Sequence, residues 1–213
     1  MKTSKASPPF VRARIGILLS GRGSNFLALH EAIQRGEVPA EIALVVSNVP
    51  EAPGLAKARE FGLPTFALSH RGLGRRGHEK QVLEALEGAG VEWVCLAGYM
   101  RLLSPLLVRA FPQRILNIHP SLLPAFPGLD AQGQALRYGV RYSGCTVHLV
   151  DEGLDSGPIL EQRVVEVLEG DTEESLARRI LEEEHRAYPH ALGRVLRESW
   201  GVEGRRVIFE GGP

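Results

Sequence analysis

The sequence predicts an α/β fold, a doubly wound and mainly parallel sheet followed by a smaller C-terminal part in which strand and helix mix. Three observations lead there. Short, almost continuously apolar runs alternate with helical stretches from residue 14 to residue 117, the pattern of parallel strands buried on both faces and joined by helices. Two glycines, Gly21 and Gly23, break the chain directly after the first run, where such sheets turn from strand to helix. Beyond Tyr138 the alternation stops, and two strand-like runs flank an acidic turn.

Each element has its own local reason. Residues 14–20 (RIGILLS) form the first run, and from Ser24 the spacing of Phe26, Leu29 and Ile33 predicts a helix ending at Gly36. Residues 42–47 are the second run, and residues 53–61, opened by Pro53, the second helix. A short strand over 64–68 leads into a polar, Gly- and Arg-rich loop that runs to Gly77. Residues 78–88 read as helix, 93–97 as a fourth apolar run and 104–111 as a short helix. The fifth run, Ile115 and Leu116, stops at Asn117. A helix over 129–138 follows, then strands over 145–150 and 159–167, a long helix from Thr172 and a last strand-like piece over 205–209.

Composition narrows the function classes. With 213 residues, 44% of them hydrophobic, the chain suffices for one well-cored domain or one domain with a small appendage. Lys and Arg total 25, as do Asp and Glu, which is not the basic footprint of a nucleic-acid binder. No apolar run approaches the ~20 residues of a membrane span, and MKTSKASPPF offers no apolar stretch for a signal peptide. Cys95 and Cys145 lie in strand-like runs and read as buried free thiols, so a cytoplasmic location is expected. Lysines number four and asparagines only three, Asn25, Asn48 and Asn117, so each retained asparagine asks for a reason.

Three segments carry chemistry. In LLSGRGSN the turn presents backbone N–H groups and a positive helix end to an anion. A plain turn with Ser24 as N-cap would have the same composition. A dinucleotide is disfavoured, because Phe26 stands where a third glycine is needed and Asn48 where an acid should end the second strand. A phosphate monoester suits the turn better, with no nicotinamide cofactor.

The second segment is RILNIHPSLLPAFPG with its downstream partner CTVHLVDEGLDSGPIL. Parallel sheets gather reacting groups beyond the carboxyl ends of their strands, and Asn117 and His119 reach such an end before a loop stiffened by Pro120, Pro124 and Pro127. Asp155, in a glycine-flanked turn, would hold His119 and favour its charged form. A core histidine with a structural hydrogen bond is the competing reading. His119, His148 and Asp155 lack the tight spacing of metal ligands, so no metal is expected.

The third is the helix DTEESLARRILEEEHRAYPHAL, whose Asp171 and Glu174 read as a capping box. Stepping about 100° per residue from Leu176 places Ala187, Ile180, Ala177, Tyr188 and Leu181 in one apolar arc. Glu184 falls inside that arc at about 80° and is expected to face a ligand, unless Pro189 distorts the last turn and releases it to water.

Taken together, SGRGSN, LAGYMRLLSP, LNIHPSLLPAFPG, SGCTVHLVDEGLDSGPI and EEEHRAYP closely resemble the glycinamide ribonucleotide formyltransferase family of purine biosynthesis, over residues 15–196. The resemblance implies a fold of the formyltransferase type, with an N-terminal extension over 1–13 and a single domain over 14–213. Within it, residues 14–103 would form the ribonucleotide half and 104–213 the folate-binding and catalytic half. It implies Asn117, His119 and Asp155 as catalytic group, Gly23, Ser24 and Asn25 on the substrate phosphate, and Glu184 on the ribose hydroxyls. The folate would meet Met100, Arg101, Leu102, Leu103, Asn117 and the stretch Asp151, Glu152, Gly153, Leu154 and Asp155. Arg75, or equally Arg76 beside it, would lie near the folate. The co-substrate would be 10-formyltetrahydrofolate, the partners small molecules rather than nucleic acid or membrane, and the assembly a monomer or homodimer.

NIHPSLLP with the later HxV and LDxGPI is shared by folate-dependent formyltransferases and deformylases, so it speaks for the chemistry and the other segments for the acceptor. A transfer-RNA formyltransferase would need a basic C-terminal domain, and a deformylase an N-terminal regulatory one. A non-catalytic nucleotide-binding module would leave Asn117, His119 and Asp155 unexplained. Asn48 has no task in this scheme and is expected to tolerate serine.

Overall fold

The computed structural model describes residues 12–69 and 71–210. Most of the expected N-terminal extension, residues 1–11, therefore lies outside the described residues. The strands and helices β1 (Ala13–Leu19), α1 (Ser24–Gln34), β2 (Ala40–Ser47), α2 (Pro53–Glu60), β3 (Thr65–Ala67), α3 (Arg75–Gly88), β4 (Trp93–Leu96), α4 (Pro105–Ala110) and β5 (Ile115–His119) alternate along the chain. They are followed by α5 (Ala131–Tyr138), β6 (Tyr142–Leu149), β7 (Ile159–Glu166), α6 (Glu173–Arg197), β8 (Trp200–Glu203) and β9 (Arg206–Phe209).

The described strands form one sheet in the order β3-β2-β1-β4-β5-β6-β7-β9-β8. The first five are parallel, β6 runs antiparallel between β5 and β7, and β8 and β9 make an antiparallel hairpin at the edge. Chain order reverses between β1 and β4, the switch point at which open parallel sheets leave a crevice.

Burial explains the apolar runs. Ile15, Ile17 and Leu19 of β1 face a core shared with α1, α2 and α6, through Phe26, Leu29, Leu55, Ile180 and Tyr188. Leu18 points the other way, onto Val82 and Leu86 of α3 and Leu107 of α4. Each such side chain, fully removed from water, contributes roughly 1.5–3 kcal/mol. Gly16 is part of this packing, since a Cβ there would come within 2.6 Å of Leu86 Cδ2.

Several boundaries differ from expectation, each for a tertiary reason. The fifth strand does not stop at Asn117: its parallel register with β4 ends there, but β6 pairs Ile118 and His119 with Val147 and Thr146. The same pairing sheet starts β6 at Tyr142, opposite Glu166 of β7, rather than at residue 145. α3 begins at Arg75, inside the expected loop, because buried His78 and Glu79 hold its first turns against the protein body. The capping box of α6 is Thr172 with Ser175, not Asp171 with Glu174; the Asp171 carboxylate is engaged by Arg179 at 2.5 Å. α6 also runs through Pro189 to Arg197. β8 was not expected, although Trp200 and Val202 alternate with exposed Gly201 and Glu203 in the period of a strand.

Candidate active site

The crevice at the switch point has two walls, the turn after β1 and the segment after β4. Together they enclose about 220 Å³, bordered by Gly21, Arg22, Gly23, Ser24 and Asn25 on one side and by Gly98 and Met100 on the other. Ser20 ties the walls together. Its N–H donates to Gly98 O at 3.1 Å, and its hydroxyl accepts from Met100 N at 2.8 Å while donating to Asn48 Oδ1 at 2.5 Å. Asn48 is thus a buried partner in the wall, against the expectation that it has no task.

Gly23, at φ 72, is the N-cap of α1, and Ser24 is the first helical residue rather than the cap. A left-handed residue that glycine alone adopts cheaply opens α1 at the crevice, and no side chain caps the helix start. Asn25 is buried, and its Nδ2 donates to Glu184 Oε2 at 2.7 Å, across 159 residues of sequence. The amide hydrogen thus meets Glu184, and Asn25 Oδ1 is a buried acceptor without a partner among the described residues. Glu184 is 8% exposed, so its place in the helical arc was read correctly and Pro189 does not release it. Burial pushes its carboxyl up to about 6, against the opposing pull of the Asn25 amide.

The second cluster lies at the end of β5. His119 Nε2 is 2.9 Å from Phe126 O, and its Nδ1 is 3.4 Å from Asp155 Oδ2. Both ring nitrogens thus face oxygen atoms. Asp155, itself in the left-handed region at φ 47, has Oδ2 fixed by the Gly128 N–H at 2.8 Å. The proline-rich loop therefore does two things: it presents Phe126 O to one side of the imidazole and steadies the carboxylate on the other.

His148 completes the group and was not singled out as a member from sequence. It lies opposite Asn117 in the β5–β6 register, a placement that the HxV spacing alone does not convey. Its Nδ1 donates to Leu149 O at 2.9 Å, which leaves Nε2 to accept from Asn117 Nδ2 at 3.1 Å. Burial lowers the His148 pKa and keeps that acceptor neutral. Asn117 is thereby oriented, with no second partner for its amide hydrogens among the described residues.

Around this centre lie the remaining expected residues. Met100 is 68% and Leu102 60% exposed, apolar side chains held on the crevice rim. Arg75 reaches that rim, donating to Leu102 O at 2.8 Å and Leu103 O at 2.5 Å. Arg101 is half-buried, with its Nε unpartnered among the described residues. In the turn from Asp151 to Asp155, Asp151 Oδ1 accepts from Gly153 N at 3.0 Å and Ser156 Oγ at 2.6 Å, while Glu152 pairs with Arg109 and Leu154 is exposed. Cys95 and Cys145 are free and buried, each thiol pushed up to about 12 by desolvation, and so are inert. No described helix is long and apolar enough to cross a membrane.

Comparison with known proteins gives a consistent picture. The family model described as formyl transferase matches residues 13–192. The phosphoribosylglycinamide formyltransferase of Bacillus subtilis is 42% identical over 184 residues, covering 85% of this chain and 94% of that protein. The trifunctional purine biosynthetic protein adenosine-3 of Drosophila pseudoobscura pseudoobscura is 48% identical over 85% of this chain, which spans only 14% of that longer protein. Among solved structures, glycinamide ribonucleotide transformylase 1 from Symbiobacterium toebii superposes with a TM-score of 0.91 at 49% identity, over 93% of this chain and 94% of that one.

Proposed function

The chain belongs to the formyl transferase family, and from that premise we propose that it transfers the formyl group of 10-formyltetrahydrofolate to the amine of glycinamide ribonucleotide, in purine biosynthesis. The observation that carries this reading is that two unlike devices lie at neighbouring strand ends: the turn after β1 with the buried Asn25–Glu184 pair, and the Asn117, His119 and Asp155 group, whose Asn117 pairs with Leu96, next to Ala97 and Gly98 on the crevice.

In this reading the substrate phosphate sits on the N–H groups of Gly23, Ser24 and Asn25, where the helix dipole adds a favourable field. Glu184 accepts from the ribose hydroxyls, and the unpartnered Asn25 Oδ1 offers a further acceptor. The folate lies along Met100, Arg101, Leu102 and Leu103, near Arg75, with its pteridine read by the stretch from Asp151 to Asp155. The substrate amine attacks the formyl carbon, and the carbonyl electrons move onto oxygen. The second Asn117 amide hydrogen and the His119 Nδ1 hydrogen meet that oxyanion; one such donor contributes about 3 kcal/mol. The Nδ1 to Asp155 Oδ2 distance of 3.4 Å is longer than a settled hydrogen bond, so an Nδ1–H is not committed to the carboxylate and can serve the oxyanion. Collapse breaks the bond from carbon to N10, and the proton lost by the amine ends on N10, giving tetrahydrofolate and the formylated ribonucleotide. A cytoplasmic location is part of the same reading.

The test is a stoichiometric assay on the purified protein with both substrates. Tetrahydrofolate and formylated ribonucleotide should appear in equal amounts, with little formate when the ribonucleotide is withheld. Formate release without acceptor would make the protein a deformylase instead.

A further inference from the structure

We propose that Glu79 is the positioning residue of the rim segment 100–104, holding its backbone in the shape that receives the folate; this rests on the reading above, in which Met100 to Leu103 line that ligand. Glu79 lies on the second turn of α3 and is 1% exposed. A carboxylate in such a place is costly unless donors surround it. Its donors are specific. Ser104 gives its N–H to Oε1 at 2.9 Å and its hydroxyl to Oε2, and the Arg75 guanidinium stands 3.6 Å away.

One turn earlier on the same helix, Arg75 holds the carbonyls of Leu102 and Leu103. α3 therefore grips three consecutive residues, while Ser20 holds the other end through Met100 N. Ser104 passes the grip onward, since its hydroxyl caps α4 by accepting from Leu106 N at 3.3 Å. This matters because packing holds only part of the segment: Leu103 rests against the core beneath α3, whereas Met100 and Leu102 are exposed, and the backbone that aims them is held by these polar ties. Apolar side chains held outward on a fixed backbone form a preorganised platform for an apolar ligand, and ordering such a loop only on binding would weaken affinity.

The experiment is calorimetric titration of the full chain with tetrahydrofolate and, separately, with glycinamide ribonucleotide. Glu79→Leu keeps volume and removes both acceptors; Glu79→Gln keeps an acceptor for Ser104 N. The folate Kd should rise about tenfold or more in Leu and about threefold in Gln. The ribonucleotide Kd should stay within about twofold in both. An unchanged folate Kd in Glu79→Leu, or a parallel rise for both ligands, overturns the assignment. Should Glu79→Leu fail to fold, Glu79→Gln decides by the same comparison. Failure of the wild-type chain to bind tetrahydrofolate overturns the functional reading, and this inference with it, whereas wild-type binding with indifferent variants overturns this inference alone.

Discussion

Replacing Glu184 by Gln should make the free protein more stable and the enzyme worse. Its carboxyl is pushed up to about 6 from an ordinary 4.5, chiefly by burial and in spite of the hydrogen bond from Asn25. A carboxyl whose folded pKa lies above its unfolded one favours the fold fully below the lower value, and that advantage is lost as pH rises through the upper. The interval from 4.5 to about 6, at about 1.4 kcal/mol per pH unit, amounts to about 2 kcal/mol of destabilisation at pH 8. At pH 5 the same relation leaves about 0.8 kcal/mol. Glutamine carries no charge, keeps an acceptor for Asn25 Nδ2 and so escapes this penalty. For a chain of this size each kcal/mol moves Tm by roughly 2–4 °C. Thermal denaturation should therefore show Glu184→Gln about 4–8 °C above wild type at pH 8, as an upper figure, with less than half that gain at pH 5. Kinetics should move the other way. Losing hydrogen bonds to a charged group, at about 1.5–3 kcal/mol, should raise the ribonucleotide KM about tenfold in Gln and up to about a hundredfold in Ala, with the folate KM unchanged. Wild-type ribonucleotide KM should also climb as pH falls through about 6, as Glu184 takes up a proton. The substrate phosphate titrates near there too, so the measure is the difference between wild type and Gln. A Gln variant that keeps the wild-type ribonucleotide KM, or is destabilised alike at both pH values, would refute the reasoning.

The other expectations follow from the same geometry. His119→Ala should lower kcat about a hundredfold or more in stopped-time assays, and Asp155→Asn should lower it as well, while near-normal turnover in either would remove the catalytic assignment. Inorganic phosphate should compete with the ribonucleotide and leave the folate KM alone, and competition against the folate instead would place the anion elsewhere. Asn48→Ser, which the sequence alone suggested would be harmless, should lower stability in urea by about 1–2 kcal/mol, because serine is too short to keep the buried bond from Ser20. A silent Asn48→Ser variant would return Asn48 to the role first expected of it.

Much of the fold was legible because local physics and tertiary structure agreed. The runs at β1, β2, β4 and β5 are apolar on both faces, and both faces are in fact covered, by α1, α2 and α6 on one side and α3 and α4 on the other. Boundaries failed where a distant partner decided them. Nothing near His119 says that the strand continues, since its partner is Thr146. Asp171 has the right residue type for a cap, but Arg179 two turns on competes for its carboxylate and leaves the cap to Thr172. β8 is only four residues long, too short for its alternation to mark a strand before Gly204, at φ 61, turns it back onto β9.

By itself, then, the sequence determined what is periodic or local: the strand and helix alternation, the glycine-rich turn after the first strand, and the place of Glu184 inside the apolar arc of its helix. Those follow from backbone sterics and from a repeat of 3.6 residues, which neighbours in the chain can express. Only the tertiary structure decided who meets whom. It placed Asn25 against Glu184 across 159 residues, set His148 opposite Asn117, aimed Phe126 O at His119, and turned Ser20, Asn48 and Glu79 into supports of the crevice walls. The reason is range: a hydrogen bond acts over about 3 Å in space and is blind to sequence separation, so its partner is known only once the sheet has brought the segments together.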